Sequence, residues 1–167
     1  MLAIIGGTGI YQFEGLDIIA KHQVETPYGQ PSAEIIEGQY GELTLFFLPR
    51  HGSAHQLLPH EVNYRANIWA LKSLGVTQII GLSATGSLQQ EISPGDLSLP
   101  SQYFDFIKGH REKSFFGEGI AAHVSTAEPT CPSLAENLTK AAEQLGITLH
   151  QKKNLCLRRW PALRHSC

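Results

Sequence analysis

Apolar residues in this chain gather into short runs, and each run is closed by glycine, proline or a polar cluster. Residues 2–5 (Leu-Ala-Ile-Ile) read as a short buried strand that ends in the small-residue turn Gly6-Gly7-Thr8-Gly9. Residues 16–25 and 33–48 alternate apolar and polar positions in places, with breaks at Pro27-Tyr28-Gly29 and Tyr40-Gly41-Glu42, which predicts antiparallel strands and hairpins. Across 63–74, Tyr64, Ile68, Trp69 and Leu71 recur at helical spacing and Gly75 supplies the stop, so a helix is predicted there. Residues 76–82 follow as a buried strand of the βαβ kind, and Ser93-Pro94-Gly95-Asp96 as a turn leading into Leu97-Ser98-Leu99-Pro100. A second helix is predicted over 133–145, capped by Ser133 with Glu136 as capping-box partner and ended by Gly146. Strands alternating with helices predict an α/β fold.

Charge changes the picture at one end. All fifteen acidic residues and eight basic ones fall in 1–151, a net −7, whereas five basic residues and no acid follow from Lys152 onward. Residues 152–167 also show no clean period of 2 or 3.6, so they read as an aberrant basic tail appended to one domain spanning 1–151. At 167 residues and 42% hydrophobic, the chain is long enough for one domain with a core. No apolar run is long enough to cross a bilayer, and residues 1–5 lack a basic leader before Gly6, which reads as a cytoplasmic protein. Cys131, Cys156 and Cys167 fit no metal or redox spacing and read as reduced thiols. The net charge of −2, with no basic stripe before residue 150, argues against a nucleic-acid surface.

Three of the predicted strands end in groups suited to an oxyanion. The glycine-rich turn with Thr8 offers backbone N–H groups and a hydroxyl, although it is neither GxGxxG nor a P-loop, and a purely structural turn reads equally well. Arg50 offers a fork matched to phosphate oxygens and His51 a further donor, with a surface ion pair as the plainer alternative. Ser83-Ala84-Thr85-Gly86-Ser87 resembles an anion nest, or else a simple strand exit. His55 and His60 lack the carboxylate or cysteine spacing of a metal site, so no metal is expected and hydrogen-bonding histidines are the reading. In an open α/β sheet ligands sit outside the carboxyl ends of the strands, so these three ends are expected to converge on one phosphate.

The motifs IIGGTG (4–9), TPYGQPS (26–32), LPRHG (48–52), VNYRANIWAL (62–71), ATGS (84–87), SPGD (93–96) and AEPTCP (127–132) occur in one order. In that order the chain resembles the methylthioadenosine and methylthioinosine phosphorylases of the trimeric purine nucleoside phosphorylase family, over about residues 1–150. The resemblance implies a nucleoside phosphorylase-like α/β fold with a mixed central β-sheet flanked by helices, a homotrimer, and phosphate-dependent cleavage of a 5′-deoxy-5′-methylthio purine nucleoside to free purine and methylthioribose 1-phosphate, in purine and methionine salvage. It implies no cofactor. Matched by motif, Thr8, Arg50, His51, Ser83 and Ala84 are similar to the family's phosphate grip, with Ser83 standing where Thr is frequent. Gly86 would lie near the purine, His55 near the 5′-methylthio end, and His123 would reach that region from an adjoining subunit. In such enzymes positioning and electrostatics carry an oxocarbenium-like ribosyl group to bound phosphate, with no covalent protein nucleophile.

The chain departs from the family after about residue 152. A Glu-Gly-Pro-Arg-(Phe/Leu) segment, an Asn/Gly-Met-Thr segment and a late acidic residue that reads the base have no counterpart in it. Codons can be written for 154–167 that, read one nucleotide later, encode Thr-Tyr-Val-Cys-Val-Asp-Gly-Pro-Arg-Phe-Asp-Thr-Ala. A shifted reading frame is therefore the expectation for the tail, and with it a fold incomplete at the C-terminus and a catalytically inactive chain. The competing reading is a non-catalytic nucleotide-binding or subunit-interaction module on the same half-fold. A dehydrogenase is disfavoured because the GxGxxG fingerprint is missing.

Overall fold

The computed structural model describes residues 1–7, 14–107 and 114–157, arranged as two compact units. The first comprises described residues up to Thr85 with 114–117, and the second comprises 86–107 with 118–157.

The first unit is built on a five-stranded sheet. Its strands are β1 (Leu2–Gly6), β2 (Asp17–His22), β3 (Ile35–Tyr40), β4 (Leu43–Pro49) and β5 (Gln78–Gly81), ordered β2-β3-β4-β1-β5. β2, β3 and β4 pair antiparallel, with a two-residue turn between β3 and β4, while β4, β1 and β5 run parallel. The sheet is mixed, as the resemblance implies. Consecutive parallel strands need a crossover, and helix α1 (Tyr64–Ser73) supplies it from β4 to β5, which lie on either side of β1.

Strand β4 has neighbours on both sides, and Leu45, Phe46, Phe47, Leu48 and Pro49 are all buried. A continuous apolar run is what a central strand covered on both faces requires. Phe46 and Leu48 cluster with Ala3, Ile35, Ala70, Leu71 and Val76, so α1 closes one face of the sheet. The buried side of α1 is Ala66, Asn67, Ala70 and Leu71. Of the four large side chains placed at helical spacing in the sequence, only Leu71 is buried; Tyr64 is exposed and Ile68 and Trp69 are half-buried. Small alanines bring the helix close to the sheet. Asn67 tolerates burial because its Oδ1 accepts the Ser32 N–H at 2.8 Å and its Nδ2 donates to Ser32 Oγ at 2.9 Å. Asn63 caps the helix by accepting the Ala66 N–H, and donates to Tyr28 O at 2.6 Å, which ties the 26–32 loop to the start of α1. Gly75, at φ 83°, ends the helix with its N–H on Lys72 O.

The second unit contains β6 (Leu97–Asp105), α2 (Pro132–Leu145) and β7 (Leu149–Leu157), with β6 and β7 paired in parallel. The turn at 93–96 forms as expected, closed by Asp96 N–H on Ser93 O and Ser93 N–H on Asp96 Oδ2. The cap of α2 differs from the expectation. Cys131 occupies the N-cap with no side-chain bond, and Pro132 opens the helix. A proline at the first helical position fixes φ and wastes no N–H, which moves the cap to the residue before it. Ser133 Oγ instead meets Cys131 Sγ at 3.2 Å, and Glu136 pairs with Lys140 one turn on. Gly146 ends α2 in the left-handed conformation, as the sequence implies.

Residues 152–157, part of the segment without clean periodicity, lie in β7. Lys152 has φ 53°, and the pairing slips between Ser98–His150 and Pro100–Lys153. An irregularity of this kind resets the alternation of faces, which hides the strand from a period count. Pro100 falls at the same irregularity, where its missing N–H disturbs no regular ladder. His150 Nε2 lies 2.8 Å from Asp96 Oδ2 and fastens the start of β7 to the 93–96 turn. That bond and the Ser93 N–H hold the Asp96 carboxyl below the usual carboxylate range.

Candidate functional site: an arginine at three strand ends

The parallel strands β4, β1 and β5 finish level with one another. Gly6 pairs with Pro49 and Ile5 with Gly81, so Gly7, Arg50 and Leu82 leave the sheet at one rim. The ladders run one step past the strands through Arg50 N–H to Gly6 O at 3.0 Å and Leu82 N–H to Ile5 O at 2.9 Å. The backbone of all three exits is therefore fixed before any side chain acts.

Arg50 lies across this rim. Its Nη1–H donates to Leu82 O at 3.1 Å and its Nε–H to His51 Nε2 at 3.3 Å. A Cβ on Gly7 would stand 2.3 Å from Arg50 Nη2 and 2.8 Å from Leu82 O, so only glycine lets the guanidinium lie there. The five N–H donors of an arginine are a planar fork, and two of them are used in holding the group in place. The other three are on Nη1 and Nη2, and Nη2 lies against Gly7.

His51 is buried, and its Nδ1–H donates to Leu57 O at 2.9 Å. Its own carbonyl accepts the Leu57 N–H at 2.9 Å, and the chain turns back through Gly52 N–H to Pro49 O and His55 N–H to Gly52 O. His55 stands in the left-handed region at φ 54° with its ring centroid 5.0 Å from that of His51. Ser83 and Ala84 follow Leu82 and are exposed. Thr8 lies outside the described residues. Gly86 and His123 are exposed residues of the second unit. The structure thus brings Arg50, His51 and His55 together beside the exit that leads to Ser83 and Ala84.

Sequence reasoning missed the carbonyls of Leu82 and Leu57 and the spacer role of Gly7. A backbone carbonyl has no residue-type signature, so the first two left nothing to read. Among the described residues no group of three His, Cys, Asp or Glu side chains is placed to hold a metal, and no helix is long and apolar enough to cross a membrane. A hollow of about 440 Å³ lined by Gln23, Glu25, Gln30 and Glu34, among others, shares no residue with the rim.

The family described as the phosphorylase superfamily matches residues 1–160. The chain belongs to that superfamily. An S-methyl-5′-thioadenosine phosphorylase of Geobacter sulfurreducens is 46% identical over 151 residues, which are 90% of this chain and 53% of the relative. A crystal structure of a methylthioadenosine phosphorylase from an Antarctic soil metagenomic library is 45% identical with a TM-score of 0.85, covering 93% of this chain and 55% of that one. A mutant adenosine/methylthioadenosine phosphorylase from Schistosoma mansoni, in complex with adenine, is 34% identical with a TM-score of 0.90, covering 99% of this chain and 64% of that one. The mixed α/β fold is thus that of the nucleoside phosphorylases. The chain spans about half the length of the curated relatives it matches.

Proposed function

We propose that the rim is the phosphate site of a phosphorylase that cleaves 5′-deoxy-5′-methylthio purine nucleosides, methylthioadenosine or methylthioinosine, in the cytoplasm. A phosphate oxygen attacks C1′ of the ribose, the C1′–N9 bond breaks, and the purine leaves with a proton taken at N7. Thr8, Arg50, His51, Ser83 and Ala84 form the phosphate grip, and His55, Gly86 and His123 serve the nucleoside in a homotrimer. The observation that carries this reading is the Arg50 guanidinium held at three parallel strand ends, against Gly7 and Leu82 O. The similarity to methylthioadenosine phosphorylases supports the substrate class.

The 167 residues alone bind phosphate and do not turn the nucleoside over, and residues from about 152 read out of frame with the family. What supports this is a second unit in which Leu97, Tyr103, Phe104 and Phe106 stand exposed. Purine release from methylthioadenosine, methylthioinosine and inosine, with and without phosphate, tests the reading beside a phosphate titration. Phosphate binding without purine release is expected. Turnover above background would overturn the inactivity, and absence of phosphate binding would overturn the site. Sequencing the gene across codons 150–167 tests the tail, where a single unshifted frame would refute the proposed slip.

A further inference from the structure

Each ring nitrogen of His51 has a partner that dictates its proton. Leu57 O is a carbonyl and accepts only, so Nδ1 must carry hydrogen. Arg50 Nε–H is a donor only, so Nε2 must present its lone pair. Both conditions are met by one species, the neutral ring protonated at Nδ1. Such a ring has no N–H left for an anion. It does have a firm hold on the neighbouring guanidinium, because burial and the Leu57 bonds fix where Nε2 points.

We infer that His51 is a positioning residue for Arg50 and not itself a donor to phosphate. With Nε tied to His51 and Nη1 to Leu82 O, the plane of the guanidinium is set by two bonds. Three N–H groups stay on the Nη edge, the second of Nη1 and both of Nη2, which is the pair of nitrogens that grips two oxygens of one anion. Gly7 keeps that edge open by having no Cβ to fill it. The inference rests on the reading of the rim as a phosphate site, and it changes what His51 contributes there. The histidine acts on the anion through the arginine.

Two substitutions separate this role from direct binding. His51→Gln keeps an acceptor that can reach Arg50 Nε–H, while His51→Lys supplies charge and donors but no acceptor. Inorganic phosphate binding to the full chain is expected to stay within about threefold of wild type for His51→Gln and to weaken by about tenfold or more for His51→Lys. The reverse order, with His51→Lys binding as well as wild type and His51→Gln losing affinity, would overturn the inference. The imidazole nitrogen resonances of His51 give an answer that needs neither phosphate nor a variant: a protonated Nδ1 and a bare Nε2 are expected, and a protonated Nε2 would contradict the assignment. If the wild-type chain binds no phosphate, the site reading fails, and the nitrogen resonances still decide whether His51 holds Arg50.

Discussion

Phe47 in β4 and Phe104 in β6 both lie within strands, yet Phe47 is 1% exposed and Phe104 is 61% exposed. The two units differ in the same way throughout. Every buried apolar residue of the described chain except Ala142 belongs to the first unit, whereas Leu97, Tyr103, Phe104, Phe106, Ile120 and Val124 stand exposed in the second. The cause is topological. β4 is flanked by β3 and β1 and covered by α1 on one face, while β6 pairs with β7 alone among the described residues. Parallel strands need cover on both faces, and two strands without it gain little from pairing. The half of the fold that places Arg50 therefore holds its own core, and the other half carries apolar faces that a larger assembly would bury.

The largest effect that tests this contrast is a matched pair of truncations. Phe47→Ala is expected to cost about 3–5 kcal/mol of unfolding free energy, and Phe104→Ala less than about 0.5 kcal/mol, measured by chemical denaturation. Equal losses at the two sites would erase the distinction. A smaller effect is expected at Asn67→Ala, which leaves the Ser32 N–H buried without its acceptor and is expected to cost about 1–3 kcal/mol. A neutral outcome would mean that the Ser32–Asn67 latch does not fasten the 26–32 loop to α1.

The smallest effect belongs to the second unit. Because its bond to His150 lowers the Asp96 carboxyl below its unfolded value, the link contributes above that unfolded value and is lost as pH falls through the folded one. Exchange of the β7 amides is expected to quicken below the ordinary carboxylate range in the wild type and to show no such step in Asp96→Asn. An unchanged step in that variant would move the titration to another group.

How legible each unit was in the sequence follows the same divide. In the first unit, the closing glycines, the apolar runs at 2–5 and 76–82 and the alternating stretch at 33–48 marked the strands, and the residues just beyond them pointed to the rim. The face of α1 was hidden because Ala66 and Ala70, not Trp69 and Ile68, meet the sheet, and because a buried asparagine looks polar until its Ser32 partners are known. In the second unit β7 escaped notice, since Lys152 interrupts the alternation on which strand recognition depends. Proline also displaced the α2 cap from Ser133 to Cys131. At the site, side chains could be named from their motifs, but their division of labour could not, because the deciding partners of Arg50 and His51 are the carbonyls of Leu82 and Leu57.

The central claim is that one anion sits where β4, β1 and β5 end, gripped by Arg50. Its most direct measurement is a titration of the chain with inorganic phosphate followed by backbone amide resonances, in the wild type and in Arg50→Met. Saturable shifts confined to Gly6-Gly7-Thr8, Arg50-His51 and Leu82-Ser83-Ala84, abolished in the variant, are the expected result. Shifts elsewhere on the surface, or undiminished binding in Arg50→Met, would contradict the account.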